Sequence, residues 1–327
     1  MKLERAALEW DVKPVTHTQH HIITVRQEVE IRLQEVGDVL EDYTVQLYRK
    51  DGSRNLESFF FACKLNNRTV KIVIRPPEEV DYLLNILSQK SLDADGKIDV
   101  LVTYILKCTE TIKEVRMFPQ NFRIYGAVSN YVKFGYCSDI TRCCEYVCNS
   151  GEMTLPLKTK RNVKCMAKLE HVEETIDLTH YCLITARENG ILITFRFPFF
   201  GYYKFTLFGK EIDVDSFRPV ATYLIDCTQA SFIHSGFPVA FDAADELNCT
   251  LYKPLWKDLP ANSQITIVLR SANISNTSVM YEDLQHNKEN HVFEGTVTTP
   301  SAGQPFVIYG QKTDTSELVG LFYFSIF

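Results

Sequence analysis

The sequence has few of the features that mark an enzyme or a nucleic-acid-binding protein. Only 14 of its 327 residues are glycine, and it contains no glycine-rich phosphate loop, Gly-x-Ser-x-Gly elbow or His-Glu-x-x-His pair. It has 35 basic and 41 acidic residues, a net charge of −6, with no basic block that would contact a phosphate backbone. We therefore predict a non-enzymatic protein with no catalytic residue, no cofactor, no bound metal and no nucleic-acid partner.

Long apolar runs are also missing. The most apolar stretch, Ile191–Phe208, is interrupted by Arg196, Pro198 and Lys204 and is too short for a membrane-spanning helix. The first ten residues carry charges where a signal peptide needs an apolar run. We expect no membrane insertion and a reducing, cytoplasmic location. A secreted adhesion module stays an alternative because of four Asn-x-Ser/Thr sequons, at Asn67, Asn248, Asn273 and Asn276.

Aromatic residues and an internal repeat dominate what is present. The 21 phenylalanines and 16 tyrosines favour β-strands, because flat rings pack well on a pleated surface. Tyr104–Cys108 and Tyr223–Cys227 have the same pattern 119 residues apart. Phe118–Phe122 and Phe237–Phe241, both Phe-Pro-x-x-Phe, keep the same offset. Two motifs with one offset indicate a structural repeat.

A third, weaker copy follows the first two. The spacing from a proline to the tyrosine of the last strand is 27, 25 and 23 residues in the three copies, from Pro77 to Tyr104, Pro198 to Tyr223 and Pro300 to Tyr323. The fourth position after each tyrosine is Cys108, Cys227 or Phe327, and this exchange of cysteine for phenylalanine predicts a buried apolar position.

Each copy alternates polar and apolar residues with a period of two, which is typical of half-buried strands. In the middle copy we predict strands near 132–136, 154–158, 163–169, 180–185, 191–197, 202–208 and 220–227. Seven short strands in about a hundred residues with no amphipathic helix predict an immunoglobulin-like sandwich. The fold class is therefore all-β, with three tandem immunoglobulin-like β-sandwich modules.

The module boundaries follow from the ends of the last strands. We predict a lead-in at 1–13 and modules at 14–108, 118–227 and 237–327, with a cysteine-rich insertion at about 137–152. The joins at 109–117 and 228–236 are short and hold little glycine or serine, so they allow limited bending. Because each copy has a full set of core strands, we expect three separable folding units.

Cysteine and histidine clusters are the candidates for chemistry. Cys137, Cys143, Cys144 and Cys148 lie in the insertion, and only the last two have a spacing that suits zinc. No second spaced pair follows, so we interpret the four as small loop residues or partly exposed thiols. A metal site or a disulfide remains an alternative.

The histidines offer two weaker candidates. His17, His20 and His21 lack a neighbouring acidic or cysteine ligand, which favours a solvated entry segment. His180 and Cys182 are two residues apart and would share one face of a strand. They lack an orienting third group and an oxyanion pocket, so we assign them no catalytic role.

Six segments of the second and third copies form a recognisable set of motifs: Gly201–Phe208, Ala221–Ile225, Phe237–Phe241, Cys249–Pro254, Leu259-Pro260 and the strand Ile265–Leu269. They resemble the repeat that follows the peptidase-like region in the kyphoscoliosis peptidase and hillarin family. The resemblance spans roughly 14–327 and implies the accessory β modules without the transglutaminase-like Cys-His-Asp region.

The resemblance also implies a function. It suggests a cytoskeleton-associated scaffold that binds proteins, and strand edges are where such modules would add a partner's strand. A second interpretation is an accessory or regulatory fragment of a transglutaminase-like peptidase. The sequence leaves open which protein is bound and the oligomeric state.

Overall fold

Strands dominate the chain. The computed structural model describes residues 2–3, 5–18, 22–36, 42–52, 56–65, 68–89, 98–121, 124–128, 130–160, 163–211, 214, 216–231 and 235–327. In these ranges the α-helices are α1 (Arg5–Glu9) and α2 (Asp242–Glu246), each of five residues. No described helix is long and apolar enough to cross a membrane.

Strands β1 to β9 build the first module. They are β1 (Lys2–Leu3), β2 (Val12–Pro14), β3 (Ile22–Arg26), β4 (Val29–Glu35), β5 (Asp42–Arg49), β6 (Phe60–Leu65), β7 (Thr69–Ile74), β8 (Asp81–Gln89) and β9 (Ile98–Glu110). One sheet has the order β1-β9-β8-β5, with β3 parallel to β9, and the other has the order β2-β4-β7-β6. Buried residues of both sheets, among them Ile31, Ile72 and Leu84, form one core. This arrangement is a β-sandwich.

Strands β10 to β17 follow. They are β10 (Gly126–Ala127), β11 (Glu145–Cys148), β12 (Glu152–Lys158), β13 (Cys165–His171), β14 (Cys182–Arg187), β15 (Gly190–Arg196), β16 (Gly201–Gly209) and β17 (Arg218–Cys227). One sheet has the order β10-β17-β16-β13, with β11 parallel to β17, and the other has the order β12-β15-β14.

Two of the strands predicted in this region need correction. Residues Tyr131–Phe134 form a 3-10 turn where we predicted a strand at 132–136, because Gly135 (φ 92°) closes the turn with its N–H on the carbonyl of Val132. Residues Thr179–Tyr181 form another 3-10 turn, so the strand predicted from 180 begins at Cys182. The other five predicted strands are confirmed.

Strands β18 to β27 build the third module. They are β18 (Val239–Ala240), β19 (Thr250–Lys253), β20 (Asp258–Leu259), β21 (Gln264–Arg270), β22 (Ile274–Val279), β23 (Glu282–Asp283), β24 (Gln285–Asn287), β25 (Val292–Thr298), β26 (Phe306–Lys312) and β27 (Leu318–Ile326). One sheet has the order β18-β27-β26-β22-β23, with β20 parallel to β27, and the other has the order β19-β21-β25-β24. A single core lies between them.

The chain divides into two compact units. The first consists of 1–150, 157–176 and 199–229, and the second of 151–156, 177–198 and 230–327. The first unit therefore holds the whole first module and the sheet with β16 and β17. The second holds most of the sheet with β14 and β15, together with the third module. The predicted module boundaries stay a prediction.

A tyrosine near the start of a strand fixes the corner of the fold in two copies. The Tyr82 hydroxyl donates to the carbonyl of Glu78 at 2.9 Å and accepts from the N–H of the same residue at 3.0 Å. The Tyr203 hydroxyl makes the same two bonds with Phe199, at 2.8 and 2.9 Å. This tyrosine corner is a hallmark of immunoglobulin-like sandwiches. The predicted all-β fold class is confirmed.

The tyrosine corner can be tested by substitution, with a second buried tyrosine of the same module as the control. Tyr82→Phe is expected to lower the free energy of unfolding by about 1–3 kcal/mol, because the N–H of Glu78 loses its partner and its carbonyl keeps the bond from the N–H of Val80 but loses the one from the hydroxyl. Tyr104 is equally buried in the same module, and its hydroxyl has no partner among the described residues. Burial raises the pKa of Tyr104 to about 12. Tyr104→Phe should therefore be neutral or stabilising in urea unfolding, and equal losses in the two variants would contradict the assignment.

A join between modules and two open strand edges

Residues that follow the first join add themselves to the edge of β6. The N–H of Tyr125 donates to the carbonyl of Ala62 at 2.7 Å, and the N–H of Lys64 donates to the carbonyl of Tyr125 at 3.0 Å. Cys63 and Tyr125 form a parallel β-bridge. Farther back, the N–H of Phe118 donates to the carbonyl of Ser58 at 2.8 Å. The edge of β6 is thus met at Cys63 by an extended segment from elsewhere in the chain, and this contact resembles β-augmentation.

Aromatic side chains fill the space beside this added segment. The rings of Phe61 and Tyr125 lie 5.0 Å apart, those of Phe61 and Phe118 lie 5.9 Å apart, and those of Phe118 and Tyr202 lie 5.1 Å apart. With Cys63, Val73, Cys144 and Leu224 they form one buried cluster. We call this the join cluster. It connects β6 and β7 of the first module with β16 and β17, all within the first compact unit.

Charged groups surround the join cluster. The Arg75 guanidinium lies 4.6 Å from the Phe118 ring centre, donates to the Tyr202 hydroxyl at 3.0 Å and pairs with Glu28 at 2.7 Å. Arg116, from the join itself, pairs with Asp226 at 2.6 Å. Guanidinium groups held over rings and by hydrogen bonds fix orientation as well as adding attraction.

The cysteines of the insertion contact different partners. A hydrogen bond with Cys63, together with burial, raises the pKa of Cys144. Cys148 lies directly opposite Cys227 on the neighbouring strand, and burial raises the pKa of Cys227 to about 12. The Cys143 thiol donates to the carbonyl of Glu145 at 2.7 Å. All ten cysteines are thiols.

The distribution of these cysteines bears on metal binding. Among the described residues, no three or more His, Cys, Asp or Glu side chains come together in a way that would hold a metal ion. We did not predict from the sequence that Cys63 and Cys227, outside the insertion, are the partners of Cys144 and Cys148. Thiols with raised pKa values are protonated and poorly nucleophilic near neutral pH.

The histidine candidates are also placed apart. His17 is exposed, while His20 and His21 lie outside the described residues. His180 lies in the 3-10 turn before β14, so it does not share a strand face with Cys182 as predicted. Burial and the charge of Lys257 lower the pKa of His180.

We predicted that the fourth position after the tyrosine of each last strand is buried. This prediction is correct for two copies and wrong for the third. Cys108 and Cys227 are buried, but Phe327 is 70% exposed. Strand β27 buries Phe322, Phe324 and Ile326 and turns Tyr323 outward. The alignment of the third copy with the other two is therefore wrong by one residue. In a strand, a shift of one residue moves every side chain to the opposite face of the sheet.

Several described strands have a neighbouring strand on one side only, and β13 and β14 are two of them. Among the described residues β13 pairs with β16 alone, and β14 pairs with β15 alone. Cys182, the first residue of β14, lies 119 residues after Cys63 in β6, so β14 occupies the repeat position of β6. Phe237, the repeat equivalent of Phe118, donates its N–H to the carbonyl of His180. The chain then enters α2 and adds no described strand to β14.

Comparison with known proteins identifies the type of module. A family described as the KY-like, immunoglobulin-like domain matches residues 3–119 and again 129–238, together more than half of the chain. No curated protein matches the sequence.

Solved structures of tandem immunoglobulin domains are also similar over most of the chain. An I-band fragment of titin is 9% identical, with 97% of this chain and 96% of that chain covered and a TM-score of 0.19. Extracellular domains of Drosophila OTK are 9% identical, with coverage of 94% and 93% and a TM-score of 0.17. At such TM-scores these likenesses carry no argument about this chain. The two consecutive family matches cover more than half of the chain, so the chain belongs to the family of KY-like, immunoglobulin-like domains.

Proposed function

We propose that this chain is a non-enzymatic scaffolding protein that binds an extended segment of a partner at the open edge of β14. The observation that carries the proposal is the covered edge of β6, where residues around Tyr125 add to the sheet. β14 stands at the same position of the repeat and, among the described residues, has a neighbouring strand on one side only. A partner strand at β14 would repeat an arrangement that the chain already makes within itself.

The hairpin of β14 and β15 indicates which backbone groups would bind. Arg187 and Gly190 close a two-residue loop, and the closing pair of such a hairpin is hydrogen-bonded. Hydrogen-bonded pairs alternate along an antiparallel ladder, so the N–H and C=O groups of Ala186 and Ile184 point away from β15. These groups are the donors and acceptors for an added strand.

The partner that we propose is a cytoskeletal protein, and the location is the cytoplasm. The likeness of the repeat motifs to those of the kyphoscoliosis peptidase and hillarin family supports the partner class. Buried cysteines held as thiols, among them Cys63, Cys108 and Cys227, support a reducing compartment. Tandem modules suit a filament, because a repeating target lets weak contacts act together.

The experiment compares two substitutions of one residue. Ala186 is exposed on the edge strand, so Ala186→Pro removes an outward N–H with little effect on the sandwich, whereas Ala186→Thr keeps it. Co-sedimentation with purified actin filaments, intermediate filaments and microtubules is expected to detect binding of the full chain to one of the three. Binding should fall about tenfold in Ala186→Pro and stay unchanged in Ala186→Thr.

Two results would oppose different parts of this proposal. If none of the three filaments binds the full chain, the cytoskeletal partner is wrong. If a filament binds and Ala186→Pro binds as tightly as Ala186→Thr, the edge of β14 is not the binding site.

A further inference from the structure

The outer face of one sheet in the third module presents aromatic rings in a row. Directly paired residues of neighbouring strands lie side by side on one face of a sheet. Asp283, Ser278, Tyr309 and Gly320 are paired in this way across β23, β22, β26 and β27. Tyr309 is 40% exposed, and the ring of Phe241 covers Gly320, where an added Cβ would meet it at 3.3 Å. The row ends in a carboxylate.

The hairpin beside this row holds two large side chains in an unfavourable backbone conformation. Met280 and Tyr281 form the two-residue loop between β22 and β23, with φ of 51° and 70°. Asn-Gly is the usual choice for such a loop, because a Cβ is disfavoured at positive φ. Met280 is 41% exposed and Tyr281 is fully exposed, so burial of these side chains does not compensate for the strain. Such costs are typical of binding sites.

The net negative charge of the third module favours a positively charged partner. Every residue of 235–327 is described, and residues 237–327 contain ten acidic and five basic side chains, which gives −5 of the chain's −6. In this sheet and α2 the carboxylates are Asp242, Asp245, Glu246, Asp258, Glu282 and Asp283. Lys312 is the one cation of these elements, and its ammonium pairs with Glu317 at 2.7 Å. The third module, to which this face belongs, therefore attracts cations and repels anionic surfaces.

We propose that this face binds a lysine- or arginine-bearing segment of a protein partner. Tyr309, Phe241 and Tyr281 offer rings to the cations and to their aliphatic stems, and Asp283 offers an ion pair at the end of the row. We call the site the acidic aromatic face. It lies on a different sheet from β14, so the inference does not rest on the proposed function.

A labelled oligoarginine peptide is the probe, tested by fluorescence anisotropy with the full chain at physiological salt. Replacing Met280 with asparagine and Tyr281 with glycine is expected to weaken binding about tenfold, because two exposed side chains are lost from the face. The same double substitution should raise the melting temperature, because it gives the hairpin its preferred loop residues. A loss of binding in a more stable protein is an outcome that unfolding does not produce.

Two charge variants provide the matched control. Asp283→Asn and Glu294→Gln each remove one negative charge, but Glu294 is exposed on β25 of the other sheet. Asp283→Asn should weaken binding several-fold, and Glu294→Gln should change it by less than about twofold. Ala186→Pro should leave oligoarginine binding unchanged. No binding by the full chain, equal effects of Asp283→Asn and Glu294→Gln, or no effect of the loop substitutions would overturn the proposal.

Discussion

Replacing Lys64 with methionine is expected to lower the free energy of unfolding of the first module by about 3–5 kcal/mol at pH 7. The Lys64 ammonium pairs with a Glu35 carboxylate oxygen at 2.8 Å, and the two side chains are 14% and 0% exposed. Methionine fills a similar volume without charge, so the variant leaves the Glu35 carboxylate buried without its partner. The carboxylate is then kept from water without the ammonium that compensates for its lost hydration. Urea unfolding at neutral pH gives the difference.

An exposed ion pair on the same strand is the control for this prediction. Arg32 and Glu30 pair on β4, with side chains 46% and 37% exposed. Arg32→Met should cost less than about 1 kcal/mol, because water screens and replaces the interaction. Adding Glu35→Leu to Lys64→Met should recover most of the loss, since an apolar pair of similar size often replaces a buried ion pair. A cost for Lys64→Met no larger than that for Arg32→Met would show that Glu35 is not held as a buried charge.

Phe118→Ala is expected to have an effect of similar size on the first compact unit. Phe118 is 2% exposed and contacts Phe61, Tyr202 and the guanidinium of Arg75 in the join cluster. Removing a buried phenylalanine ring costs about 3–5 kcal/mol, and here the lost contacts are those that couple β6 to β16. Calorimetry should show the first unit unfolding at a lower temperature, with its transition broadened or divided.

Phe200 provides the comparison for Phe118. It lies in the same unit but is 70% exposed, so Phe200→Ala should change the free energy of unfolding by less than about 0.5 kcal/mol. If Phe118→Ala lowers stability and the unit still unfolds in the one transition of the unaltered chain, the ring stabilises its surroundings without coupling the modules. That result would contradict the role assigned to the join cluster.

The strands themselves could be predicted from the sequence, because alternation of apolar residues reports which face is buried. The predicted strands 202–208 and 220–227 are β16 and β17 with boundaries shifted by at most two residues. The alignment of Tyr323 with Tyr223 failed, since matching residue types does not specify which face a side chain occupies. A bulge in the pairing of β26 with β27 shifts the register between Ile308 and Tyr309, and spacing along the chain does not reveal a bulge.

The join was harder to predict than the modules. Phe118 and Phe237 look equivalent in sequence, yet Tyr125 bridges to β6 after the first, whereas β18 and helix α2 follow the second and no described strand is added to β14. The contact of Cys63 with Cys144 joins residues far apart in the chain, and one sequence gives no signal for such a pair. The sequence therefore predicted three separable folding units. The join cluster and the segment added to β6 lead us to expect that the first module and its neighbouring sheet stay together.

Cleavage of the first join tests this coupling most directly. Lys113 and Glu114 are exposed, so a specific protease site can be placed between them with little effect on the packed residues after the join. After complete cleavage under native conditions, the two pieces are predicted to elute together in size-exclusion chromatography at the position of the uncut chain. Combining the cut with Phe118→Ala should weaken that association. Separate elution of the residue 1–113 piece from the unsubstituted chain would contradict a single unit held by the join cluster.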